Sequence, residues 1–106
     1  MDDADCAVMV IGPKQPYLDW IRSVEDPPPR VTLEVLRRDC VAYIIPPVES
    51  ADDETRAIRR CHARVFEDEL RSWYLDESTW PKRRGLQTFM KWFDVTIHPI
   101  VVDLTD

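Results

Sequence analysis

The sequence predicts an α+β fold in which a small three-stranded sheet carries helices packed against it in two layers. Apolar runs of strand length, rich in β-branched residues, recur at 6–11, 41–45 and 95–104. Between them, at 16–24, 32–38, 51–74 and 85–93, apolar residues repeat every three to four positions, the helical period. A chain of 106 residues, 44% hydrophobic and 32% charged, supports one core rather than two, so residues 1–106 are read as a single domain.

Taken in order, residues 6–11 (CAVMVI) are apolar at both alternating sets of positions, which predicts a strand covered on both faces, and Gly12-Pro13 should stop it. Pro16 suits the first turn of helix 16–24, where an N–H has no intrahelical acceptor. Tyr17, Trp20, Ile21 and Val24 share its core face, and Asp19 points away. Asp26-Pro27-Pro28-Pro29 makes a stiff extended connector. Thr32 is the expected N-cap of helix 32–38, although so few residues also fit a strand. Residues 41–45 (VAYII) form the second strand, stopped by Pro46-Pro47. If it neighbours the first, a right-handed crossover makes the two parallel. The direction of the third is left open.

Ser50, followed by Asp52, Asp53 and Glu54, supplies a cap and negative charge for the positive end of the longest helix, 51–74. Ile58, Val65, Phe66 and Trp73 define its apolar stripe, with Cys61 and Leu70 at the margins. In helix 85–93, Leu86, Phe89, Met90 and Phe93 face inward and Trp92 lies off the stripe. Pro99 within strand 95–104 has no ladder donor and marks a sheet edge or a bulge.

A formal net charge of -6 favours solubility and disfavours partners such as nucleic acid or anionic lipid. Arg56, Arg59, Arg60 and Arg64 are flanked by acids and read as a solvent-facing ion-pair surface. No apolar run approaches the roughly 18 residues of a membrane span. Asp2, Asp3 and Asp5 stand where a secretory signal would carry Lys or Arg, so the cytoplasm is the expected location. Cys6, Cys40 and Cys61 show no CxxC spacing, so reduced, partly buried thiols are expected, with neither metal nor cofactor. With two glycines the chain has no phosphate-cradling loop or dinucleotide fingerprint, and it contains no GxSxG or HExxH. Cys61 and His62 are adjacent on a helix, about 100° apart, and do not form a dyad.

Glu69 and His62 project near the middle of the long helix's apolar stripe, two turns apart. A carboxylate there must find a partner or shift its pKa, because an unpaired buried charge is costly. Glu69 and His98, with His62 and Asp94 as further members, are therefore the candidate acid/base group. The competing reading is that Glu69 accepts a hydrogen bond and only fixes packing. The segment Trp73 to Arg84 mixes three aromatics, two acids and three bases. It suits either a recognition loop, with Trp73, Tyr74, Trp80, Lys82 and Arg84 as contact residues and Trp92 extending the surface, or a loop anchored to its own domain by Trp73 and Trp80.

The stretches Pro13-Lys14-Gln15-Pro16-Tyr17-Leu18-Asp19-Trp20, Trp73-Tyr74 through Asp76-Glu77-Ser78 to Trp80-Pro81, and Phe89 through Trp92-Phe93-Asp94-Val95 to His98 resemble a small family of uncharacterised bacterial proteins. The resemblance spans most of the chain and implies a bacterial origin, with no activity, cofactor or catalytic residue attached.

The missing catalytic signatures favour a non-catalytic domain that binds another protein or itself through the 73–84 loop. The alternatives are a small acid/base enzyme using Glu69 and His98, and a small-ligand-binding regulator with an aromatic pocket near Trp73 and Trp80.

Overall fold

The computed structural model describes residues 3–105. Three strands, β1 (Ala7–Pro13), β2 (Val41–Ile45) and β3 (Phe93–His98), form one antiparallel sheet in the order β2-β1-β3. Four helices pack with it: α1 (Gln15–Val24), α2 (Leu33–Arg38), α3 (Ala51–Trp73) and α4 (Leu86–Trp92).

The parallel pairing expected for β1 and β2 is not found; Ala7 lies opposite Ile45 and Ile11 opposite Val41. The cause is the second helix between them. Arg37 of α2 donates to the Pro13 carbonyl at 2.6 Å, so α2 sits at the C-terminal end of β1. The chain therefore enters β2 at that end and must run back antiparallel.

Local signals hold where the chemistry is local. Thr32 and Ser50 accept from Val35 N at 3.2 Å and Asp53 N at 3.1 Å, capping α2 and α3. Pro16 occupies the first turn of α1. Gly12 and Pro13, expected to stop β1, instead continue it, pairing with Asp94 and Phe93. Pro13 can do so because the β1–β2 ladder ends at Ile11, so at Pro13 the strand is paired on the β3 side alone and its missing N–H leaves no β2 partner unmet. The third strand ends at His98, short of the expected 104; after Pro99 only an isolated bridge, Asp3 with Val102, continues it. β3 is a sheet edge, as a proline at its end suggests.

One sheet face builds the core. Ala7, Met9, Ile11, Ile45 and Phe93 are buried, with Tyr43, Val95 and Ile97 half-buried beside them. Against them stand Tyr17, Trp20 and Ile21 of α1, Phe66 and Leu70 of α3, and Phe89 of α4. Aromatic rings knit the layer: Tyr17 to Phe93 at 4.9 Å, Phe89 to Phe93 at 5.2 Å and Phe66 to Trp92 at 5.3 Å. Each such pair adds about 0.5–1.5 kcal/mol beyond its burial.

The opposite face is not covered by helices, contrary to the expectation of cover on both sides. Val8 and Val10 are only half-buried and Ile44, on the neighbouring strand, is 79% exposed. At the end of this face Asp94 meets Arg37 at 3.0 Å and Lys14 at 3.7 Å.

Candidate functional site

The acid/base candidates are spread over three places. His98 is exposed on the uncovered sheet face, whereas α3 packs on the other. Asp94 is engaged by Arg37 and Lys14. His62 is half-exposed, its Nδ1 donating to the Arg59 carbonyl at 2.8 Å and its ring 6.1 Å from that of Phe89. Among the described residues no cluster of three or more His, Cys, Asp and Glu is placed to hold a metal ion.

Glu69 is the exception, a carboxylate only 7% exposed. Its nearest donor is Tyr17, a residue the sequence marks only as core. The Tyr17 hydroxyl lies 2.7 Å from the Glu69 backbone carbonyl and 3.3 Å from Oε2. A hydroxyl has one proton, so the shorter bond takes most of it. Burial, and secondarily the Asp68 charge, push the Glu69 carboxyl above its ordinary value, with the Tyr17 bond opposing. Burial and the Glu69 charge raise the Tyr17 phenol in turn.

Glu69 floors a cleft of about 260 Å³ between α1, α2 and α3, walled by Val31, Val35, Leu36 and Trp73, with Asp39 at its side. A second groove, about 380 Å³, separates the outer edge of β2 from α3. Tyr43, Ile45, Cys61 and Val65 line it, and Arg60, Arg64 and Asp68 contribute its polar side. The Tyr43 phenol is pushed up to about 12, chiefly by burial and then by Glu69 and Asp68.

The aromatic loop is tied to its own domain. Trp80 is 5% exposed, donates from Nε1 to the Tyr74 carbonyl at 2.9 Å, and lies under the Arg71 and Arg84 guanidiniums at 5.4 and 5.7 Å. Trp20 closes the loop from the other side by donating to the Thr79 carbonyl at 2.9 Å, and Tyr74 donates to the Ile21 carbonyl at 2.7 Å. A short 3-10 turn, Glu77–Thr79, capped by Asp76, rigidifies the tip. Trp73 is half-buried at the Glu69 cleft, and Trp92 is half-buried against Tyr17, Trp20 and Phe66 rather than off the packed face. Met90, expected inward, is 39% exposed instead. The helical spacing fails there because α4 ends at Trp92 and Phe93 is already strand. Of the contact residues read from the sequence, Lys82 and Arg84 are exposed.

All three cysteines are free and half-buried. No helix among the described residues is long and apolar enough to cross a membrane. Compared with family models, with curated proteins and with solved structures, the chain matches none, so the resemblance carried by its Trp-Pro and Trp-Phe-Asp segments stands on those residues alone.

Proposed function

We propose that this chain is a non-catalytic protein-interaction domain of the cytoplasm that accepts an extended segment of a partner along β2. One observation carries the reading: among the described residues β2 is a sheet edge, paired with β1 alone, and it borders an open groove against α3. Edge strands are normally blunted by charge, proline or a bulge, because their free N–H and C=O groups recruit other strands. β3, the other edge, carries Asp94 and His98 and stops at Pro99. β2, Val-Ala-Tyr-Ile-Ile, is followed by Pro46-Pro47 but carries neither a charge nor a proline within its ladder, and Val41, Ala42 and Ile44 are exposed. An added strand would gain main-chain hydrogen bonds from β2 and place alternate side chains in the groove.

The groove's polar side specifies the partner. In a chain of net charge -6, Arg60 makes no ion pair among the described residues, and Arg64 meets only Asp68, at 3.8 Å, with its side chain 87% exposed. An apolar residue next to a carboxylate fits this pair of guanidiniums above an apolar floor. Three free thiols fit a reducing compartment. The dispersal of His98, His62 and Glu69 supports a binding role over acid/base turnover.

Selection from a random linear peptide library tests the reading. Binders should converge on an apolar residue beside Glu or Asp, and reversing both arginines (Arg60→Glu with Arg64→Glu) should weaken them at least tenfold, about 1.4 kcal/mol. Binders indifferent to the reversal would contradict it.

A further inference from the structure

The Glu69 cleft is a separate feature, and its chemistry is unfinished. Among the described residues Oε1 of Glu69 accepts no hydrogen bond, yet none of their buried side-chain polar atoms lacks a partner. Oε1 is therefore reached by solvent, and the cleft is the route. Oε2 has only the long contact to a hydroxyl already committed to a carbonyl. The backbone carbonyl, by contrast, is doubly satisfied, since Ser72 Oγ also donates to it at 2.6 Å. A largely buried carboxylate that has solvent at one oxygen and no strong protein donor at the other is an arrangement that folding alone does not require.

What is missing is a cation. The cleft lining contains no Lys, Arg or His; its ionisable groups are Glu69, Asp39 and Tyr17. Its walls are aliphatic, with the Trp73 indole at one side, a surface that suits a hydrocarbon stem and a cation near an aromatic ring. A volume of about 260 Å³ lies below the roughly 300–1,000 Å³ of sites for drug-sized ligands, which limits the guest to one side chain or a small amine. We propose that this cleft binds an organic cation, a primary ammonium or guanidinium on an apolar stem, with Glu69 as its counter-ion.

Binding is coupled to a proton. Burial holds the empty carboxyl above its ordinary value, and the arriving cation favours the ionised form, so docking lowers the carboxyl's affinity for a proton. Affinity rises as the pH rises through the Glu69 pKa. The groups facing that carboxyl are Tyr17 from α1, Tyr43 from β2, Asp39 at the end of α2 and Asp68 on α3 itself; none carries a positive charge. The site stands whether or not β2 takes a strand.

The test titrates the full chain with n-butylammonium, n-butylguanidinium and neutral 1-butanol, following the Trp73 indole and Glu69 carboxyl resonances by NMR. The cations should shift both signals saturably, bind at least tenfold more tightly than butanol, and tighten as the pH is raised through the Glu69 titration followed in the same spectra. Glu69→Gln should remove that preference while the Phe66 and Phe89 ring signals stay native. Val35→Trp, which plugs the cleft from an exposed position on α2, should weaken both cations in a chain whose core is untouched. A blocked extended peptide with one central Lys distinguishes the source: at least tenfold tighter binding than butylammonium assigns the site to a partner's side chain, and equal binding assigns it to a free amine. Butanol binding as well as butylammonium, unchanged cation binding in Glu69→Gln, or no saturable shift with any cation would overturn the proposal.

Discussion

A carboxylate on the inner side of a helix can escape the cost of leaving water by pairing, by accepting hydrogen bonds, or by keeping its proton. For Glu69 the second route is weak, because Tyr17 gives most of its proton to the backbone carbonyl, and burial shifts it toward the third by raising its pKa. Its pKa is raised in the folded chain above the ordinary 4.5, so the folded state holds this proton more tightly than the unfolded one. Its contribution is most favourable below pH 4.5 and declines as the pH rises from there through the folded value. Glu69→Gln should therefore be more stable than the parent at pH 7, with the difference vanishing at pH 4; urea denaturation at the two values measures it, and a less stable variant at pH 7 would contradict the burial argument. Trp80, which the sequence leaves open between partner contact and anchoring of its own loop, is buried and hydrogen-bonded within the domain, in keeping with the anchor. Trp80→Ala should cost about 3–5 kcal/mol by the same measurement. The anomaly at Glu69 was legible because helical period alone places it among apolar neighbours. Its partner Tyr17, 52 residues away in the chain, was not, since nothing local distinguishes a core tyrosine that hydrogen-bonds from one that only packs.

At the scale of elements, the caps and the Pro46-Pro47 stop could be read directly because each is decided within four or five residues, whereas Gly12-Pro13 did not stop β1, because β3 pairs with it there. Strand direction could not be read, because it depends on where α2 delivers the chain, and that is set by packing and by the Arg37 bond to Pro13. The same limit applies to edges: VAYII announces a strand, but only the order β2-β1-β3 shows that it lies outermost. An unprotected edge makes a mutational forecast. Ile44→Lys, at a position 79% exposed, should change stability by no more than about 0.5 kcal/mol. It should nevertheless weaken a strand-adding peptide severalfold, because lysine is a natural edge blocker. Loss of stability with unchanged peptide affinity would place the function elsewhere.

Across the whole molecule, one layer of helices shields one face of the sheet and leaves the other face and both edges accessible. The Cα radius of gyration, 15.3 Å, exceeds the roughly 13 Å typical of a 100-residue domain, in keeping with chain ends that run on past the ladder to the Asp3–Val102 bridge. Composition conveyed the class and the acidic character, but not that two arginines of a dispersed set frame the groove beside an open edge. The most direct test of strand acceptance is amide hydrogen exchange along residues 41–45, with and without a peptide selected on the protein. A peptide that adds a strand will slow exchange at the outward-facing amides of β2 and leave β3 unchanged. Binding that leaves β2 exchange unaltered, or that protects the 73–84 loop instead, would contradict it.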